Sequence, residues 1–553
     1  MDLRASRITS YTKTKSESSS YQSSNSSTVT TYNPTNPYFA GSVQVNTPSL
    51  VLNREHVVTN VPQVRRYDWV VANKSASFDG FLRNVFVINN QFPGPLIEAN
   101  EVISIPRRHN CCKRQKRAKC PSQHPLARHL SKRYSMDGCL EPSAHYGALL
   151  ADGVSGPLII HSPRDPLVRG RDYDNDQILF INDWYHDPST TITRKLLSTE
   201  GYNGTLAAPS PNTALLNGIG FFNCEKYADG KTCQTNYSPL EIQVPPKQRS
   251  RIRLIQAGSH ALFKVSVDGH ALEVIEADAT PVRSSKLFHR VSLHNAERYS
   301  VILDTASDSE GDSFHLRAVM DTDCFAPGMD TVEGNTALAV VRVSSKPLES
   351  GNIRARMPAP TTQDWSDEKD GPCVDLDQSK LAPRINPNLN SNSLGRVYYN
   401  TSFGTIIDRS KKGPSNALGR FFVDNTTYIS RESQPLLPQL MSGGSGALNM
   451  SEVATQTISQ PGIWDVVVNN LDQRLTTLST STVLIHVVPG GSYLVMRIKA
   501  DNPGVWIIHC HIDWHLAAGF AGVLVIQPDA LKQATLPPAN QGLCPKGGSG
   551  QNS

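Results

Sequence analysis

From about Tyr67 onward, short apolar runs rich in Val, Ile and Tyr are cut every few residues by Gly, Pro, Asn or Asp. Residues 84–89, 179–182, 251–255 and 493–499 are examples. Runs this short, bounded by turn formers, predict β-strands assembled into antiparallel sandwiches. No sustained 3.6-residue periodicity competes with that pattern, so the fold class is all-β with few helices. No apolar run reaches the ~18 residues of a membrane span. A chain of 553 residues is long enough for about three such domains.

Residues 1–65 break the pattern. They are rich in Ser, Thr and Asn, carry no charged-then-apolar signal peptide, and predict a disordered tail. Asn-x-Ser/Thr sequons occur at Asn25, Asn73, Asn203, Asn236, Asn400, Asn425 and Asn449, which favours a secreted protein. The net charge of +5 is unevenly spread. Residues 107–133 hold ten Lys or Arg and no acid, and without those ten charges the net charge is −5. Basic runs bind nucleic acid or direct nuclear import, but no aromatic residue interleaves this one and no nucleic-acid fold surrounds it. No nucleic-acid partner is expected.

The chemistry concentrates at His509-Cys510-His511-Ile512-Asp513-Trp514-His515. Along a strand His509 and His511 point one way and Cys510 the other, so one short segment can serve two metal centres on opposite faces. A thiolate with imidazoles is the ligand set of blue copper. Zinc accepts the same donors, but its motifs pair cysteines at short spacing and Cys510 has no such neighbour. A buried Cys beside incidental histidines would not give four ligands, three His and one Cys, in seven residues.

This segment resembles the His-Cys-His-x-x-x-His signature of multicopper oxidases, especially fungal laccases and related pigment or iron oxidases. The segment Asn89-Asn90-Gln91-Phe92-Pro93-Gly94-Pro95-Leu96-Ile97-Glu98-Ala99-Asn100 resembles the entry to the family's first domain. Asp183-Trp184-Tyr185-His186 and Leu216-Asn217-Gly218 resemble landmarks of its second. The likeness runs from about Tyr67 to Pro528. It implies three cupredoxin-like Greek-key β-sandwiches at 66–165, 166–350 and 378–530, with a linker at 351–377 and a tail at 531–553. It also implies four copper ions in the intact family, and fewer here. Cys510 and His515 would bind the type 1 copper that takes electrons from the reductant. His509 and His511 would each bind one of the paired type 3 coppers, with Cys510 as the covalent bridge. Phe520 matches the axial position of type 1 copper, where it cannot coordinate, so a three-coordinate site of relatively high potential is expected.

Three family motifs are broken or missing. Pro142-Ser143-Ala144-His145-Tyr146-Gly147 stands where a His-x-His-Tyr-Gly pair is expected, and only His145 matches. The first His-x-His pair and the His-Pro-x-His-x-His segment are missing. Both return when codons are read out of frame. Codons begun one base late across 124–134 permit Ile-His-Trp-His-Gly-Ile-Tyr-Gln-Asn-Gly-Thr. Codons begun one base early from the 476/477 boundary to Val483 permit His-Pro-Phe-His-Leu-His-Gly. Frame-shifted or mis-spliced coding sequence accounts for both losses, for a first domain damaged at about 102–141, and for the basic stretch with Cys111, Cys112 and Cys120. With Cys510 as ligand, Cys139, Cys224, Cys233, Cys324, Cys373 and Cys544 remain, an even set that suits three disulfides. Cys224 with Cys233 is a plausible local pair, and Cys139 with Cys544 resembles a family link.

The resemblance thus implies a laccase-like oxidase that takes single electrons from a phenolic reductant and reduces dioxygen to water, in the extracellular space or cell wall. A ferroxidase acting on Fe(II) is the alternative enzyme, although residues 527–553 lack the membrane anchor typical of fungal iron-uptake members. A non-catalytic cupredoxin-fold protein, or a divergent one that lost its oxygen chemistry, is the third reading. Oligomeric state is not legible.

Overall fold

The structure is a computed structural model that describes residues 50–61, 67–101, 138–140, 148–226, 232–233, 238–329, 332, 334–346, 358–367, 373–385, 392–410, 416–429, 436–443, 453–471, 477–481 and 484–533. It is all-β with a few short helices. The strands predicted from the apolar pattern recur as Arg83–Ile88, Asn175–Trp184, Arg249–Gln256 and Tyr493–Lys499.

The second sandwich pairs two sheets. One has eight strands, in the order Leu381–Pro383, Thr280–Ser284, Glu273–Ala277, Arg298–Asp304, Arg249–Gln256, Asn175–Trp184, Thr213–Leu216 and Ile219–Gly220. The other has five: Arg290–Leu293, Phe263–Val267, Ser313–Met320, Thr336–Val343 and Leu240–Val244. Their facing apolar residues, among them Ile252, Leu254, Phe263, Val301 and Val341, form one core. The third sandwich pairs a four-stranded sheet (Ala417–Val423, Arg396–Ile407, Ile463–Asn470, Tyr493–Lys499) with a five-stranded one (Ala454–Ile458, Ala521–Ile526, Gly504–His509, Thr477–Ser481, Leu484–Val488). Each of these four sheets contains one parallel pair, for instance Arg249–Gln256 on Asn175–Trp184 and Ala454–Ile458 on Ala521–Ile526. A parallel pair cannot be closed by a hairpin, so the intervening chain must cross over.

The described parts of the first domain are a two-stranded sheet, Val71–Ala76 with Arg83–Ile88, and a three-stranded one of Ile97–Asn100, Leu158–His161 and Gly138–Leu140. Residues 102–137 and 141–147, which carry the basic stretch, the first hidden motif and His145, lie outside the described residues.

The sequence reading needs correction at three places. The tail predicted to run through residue 65 is anchored at its end. Leu50 and Leu52 are buried with Ile159, Ile178 and Phe180, and Val51 bridges to Gln177. The two leucines stand two apart, so an extended backbone turns both side chains to one face. Leu381–Pro383, assigned to the third domain, pairs with Thr280–Ser284 of the second. The described parts of the 351–377 linker pack on the second sandwich: Trp365 Nε1–H donates to the Val267 carbonyl, Trp365 stacks on His289, and Leu376 joins the core. Cys224 bonds to Cys233 as anticipated, and Cys324 bonds to Cys373, tying that linker down. The Cys139–Cys544 link falls outside what the structure describes.

Candidate metal centre

Strand Gly504–His509 runs into a tight loop, then helix Asp513–Ala517, and returns as strand Ala521–Ile526. The Cys510 N–H donates to the Phe520 carbonyl, and the Phe520 N–H to the His515 carbonyl, so the loop closes on itself. Gly519 makes the return feasible. Its φ is +100°, and a Cβ there would lie 1.9 Å from Thr427 Oγ1.

This closure puts Cys510 Sγ 3.5 Å from His515 Nδ1, both residues buried. Two ligands sharing an ion, with sulfur and nitrogen bonds of about 2.3 and 2.0 Å, stand about that far apart. Burial, with the neighbouring His260 and His294 charges, pushes the His515 imidazole well below its usual range, which keeps it in the neutral, metal-binding form. The surroundings are aromatic. Phe421 lies 4.3 Å from the His515 ring and stacks on Phe520 at 5.0 Å. Phe520 is a buried aromatic with no donor atom, its ring centroid 6.4 Å from that of His515. Among the described residues, no third His, Cys or carboxylate ligand atom lies within 4.8 Å of both Cys510 and His515.

His509 and His511, which flank the cysteine in the chain, have ring centroids 5.7 Å apart. The His509 Nδ1–H donates to the Cys510 carbonyl at 2.9 Å, which makes Nε2 the unprotonated nitrogen. His145 lies outside the described residues. Strand Thr477–Ser481 pairs directly with strand Gly504–His509, Thr480 opposite His509.

The second sandwich buttresses this loop through residues the sequence reading did not single out as functional. Asn295 Nδ2 donates to the His511 carbonyl at 2.5 Å. Ser259 Oγ bonds Asp513, and the Asp513 N–H donates back to the Ser259 carbonyl. Burial pushes the Asp513 carboxyl up to about 7, the Ser259 bond pulls it back, and Asp183 pushes it up again. Trp514 Nε1–H donates to the Tyr185 hydroxyl at 2.9 Å. Asp183 in turn accepts the N–H groups of Ser259, His260 and Ala261. Two residues of Asp183-Trp184-Tyr185-His186 thus hold the copper loop from across the domain boundary.

Comparison with known proteins agrees with this geometry. A family model described as multicopper oxidase matches residues 175–345, and a second of the same description matches 475–530. Laccase-2 of Cryptococcus neoformans var. grubii is 34% identical over 550 residues, covering 89% of each chain. A laccase of Phlebia radiata is 28% identical and covers 86% of this chain and 93% of its own. Two solved structures share the fold at a TM-score of 0.65: a laccase from Botrytis aclada, 18% identical over 86% of this chain and 89% of its own, and Fet3p, a multicopper oxidase that functions in iron import, 19% identical over 86% and 93%.

Proposed function

The chain belongs to the multicopper oxidase family, close to the fungal laccases, and from that premise we propose a phenol oxidase that reduces dioxygen to water. The observation that carries the proposal is the buried Cys510–His515 pair at 3.5 Å, with His509 and His511 flanking the same cysteine in the chain, their rings 5.7 Å apart. Copper on these residues would supply one-electron oxidation of the reductant and four-electron reduction of oxygen. The chain's own work is to hold the ligands neutral or deprotonated, exclude water, and connect the two sides. His515 is 6% exposed and Cys510 fully buried, so the imidazole would be the ligand edge offered to a reductant. Cys510 is bonded through the backbone to both His509 and His511, so an electron arriving at the thiolate has a covalent route of one residue in either direction.

Iron oxidation is the weaker alternative. It needs carboxylates presented beside His515, and the acid closest in sequence, Asp513, is engaged by Ser259 instead. The fold likeness to Fet3p is equal to that with the Botrytis laccase and so does not discriminate.

In this reading the chain as written is impaired, and the coding sequence is shifted across 124–134 and 476–483. The pairing of Thr480 with His509 supports it, since histidines restored on that strand would neighbour the copper loop. Secretion and glycosylation are supported by the two disulfides and by the exposure of Asn73, Asn203, Asn400 and Asn425. Among the described residues no helix is long and apolar enough to cross a membrane. Expressing the written and frame-restored chains side by side tests the function. The restored chain should bind copper, turn blue and oxidise a phenol faster than Fe(II). A colourless restored chain, or one that prefers Fe(II), would reject the proposal.

A further inference from the structure

Away from the copper loop, two histidines and a glutamate converge where the N-terminal strap crosses the first domain. Glu98 and Asn100 of strand Ile97–Asn100 share a sheet face with His161 of the parallel strand Leu158–His161, Asn100 standing opposite His161. The strap of residues 50–61 brings in His56. His161 Nε2 lies 2.8 Å from Glu98 Oε1, His56 Nδ1 lies 3.6 Å from the same oxygen, and the two imidazole centroids are 4.4 Å apart. One ligand atom from each residue falls within 4.8 Å of the others.

The surrounding hydrogen bonds determine which atoms face inward. Asn100 Nδ2 donates to the Val57 carbonyl, so its Oδ1 is the acceptor turned to His56 Nε2 at 2.7 Å. When neutral, His56 therefore carries its proton on Nε2 and presents the Nδ1 lone pair to a carboxylate oxygen; when protonated, it places an Nδ1–H there instead. Two acceptors facing each other repel unless a proton or a cation lies between them. A ring N–H donated to a side-chain carbonyl is also the outer contact that orients metal-binding histidines. Burial favours the neutral Glu98 carboxyl, but the His161 bond, both histidine charges and the Asn53 N–H together hold it below the usual range.

We infer that His56, Glu98 and His161 form a site for a divalent zinc-like ion that staples the strap to the first domain. Two imidazoles and one carboxylate are a known zinc donor set, with a fourth position left for water. Carboxylate and imidazole suit Zn²⁺, and no thiolate is required. In the ion-free form the His161 Nε2–H donates to Glu98, so binding through Nε2 must displace that proton, to Nδ1 of a neutral ring or to solvent from an imidazolium. The strap it would fasten already pairs Val51 with Gln177 of strand Asn175–Trp184, so the ion would tie the start of the described chain to the first two domains. The site is independent of the copper chemistry.

The test is zinc titration of the full, chelator-stripped chain carrying Cys510→Ser together with Cys111→Ser, Cys112→Ser and Cys120→Ser, which removes the thiolates outside the proposed disulfides that would compete for the ion. Calorimetry should show one Zn²⁺ per chain, with proton release that grows as pH falls and more of the histidines start as imidazolium. Cobalt should give ligand-field bands without thiolate charge transfer. His56→Gln, Glu98→Gln and His161→Gln should each abolish that equivalent, and Asn100→Leu should weaken it about ten- to a hundredfold. A chain with these serines that binds no zinc, or zinc binding untouched by all three Gln variants, would overturn the inference whatever the phenol oxidase assays show.

Discussion

Gly519 shows how one residue sets the copper loop. Its φ of +100° and the nearness of Thr427 leave no room for a Cβ. Gly519→Ala should destabilise the third domain by about 1–3 kcal/mol through backbone strain alone. It should also move Phe520 and His515 apart, so urea denaturation would report a lower midpoint and the copper-loaded restored chain a weaker blue band. An unchanged midpoint and band would show that the return does not depend on glycine. His294 offers a pH test away from the ligands. Burial pushes its imidazole down to about 4, with the bond to Asn295 partly opposing the fall. The unfolded chain, titrating near the ordinary value of about 6.5, binds the proton first. His294 thus contributes stability that is present above about pH 6.5 and lost as pH falls toward 4, on the order of 3 kcal/mol in all. Stability measured against pH should lose that part of its slope in His294→Gln.

At the level of elements, the apolar pattern was enough for the strands, because each is specified by a few adjacent residues. The 493–499 run reappears with unchanged limits. The copper segment was legible for the same reason, since His509 to His515 are contiguous and their types alone narrow the metal. Their supports were not legible as supports. Asn295 reaches the His511 carbonyl across 216 residues of chain, Ser259 reaches Asp513 across 254, and Tyr185 meets Trp514 across 329. No local spacing encodes such pairings. The anchored strap had a weak signal in the alternation of Leu50 and Leu52, hidden by the polar composition around it. The Tyr185–Trp514 bond allows a direct test of these cross-domain supports. Tyr185→Phe would leave a buried indole N–H without its acceptor, and should lower stability by about 1–3 kcal/mol. Denaturant titration of the two proteins would measure it, and equal midpoints would mean that helix Asp513–Ala517 is held by packing alone.

For the molecule as a whole, the copper loop belongs to the third sandwich but is fastened by the second, through Asn295, Ser259 and Tyr185. That arrangement explains why the family likeness extends over most of the chain and is not confined to the motif. It also separates fold from activity. The second and third sandwiches keep a buried core in a chain whose first-domain and third-domain histidine motifs are missing. The most direct measurement is oxygen uptake coupled to phenol oxidation, made on the written chain, the frame-restored chain and the restored chain with Cys510→Ser, at equal protein and added copper. The account predicts uptake by the restored chain alone, with about four phenols oxidised per oxygen and no peroxide. Comparable uptake by the written chain, or by the Cys510→Ser chain, would contradict it.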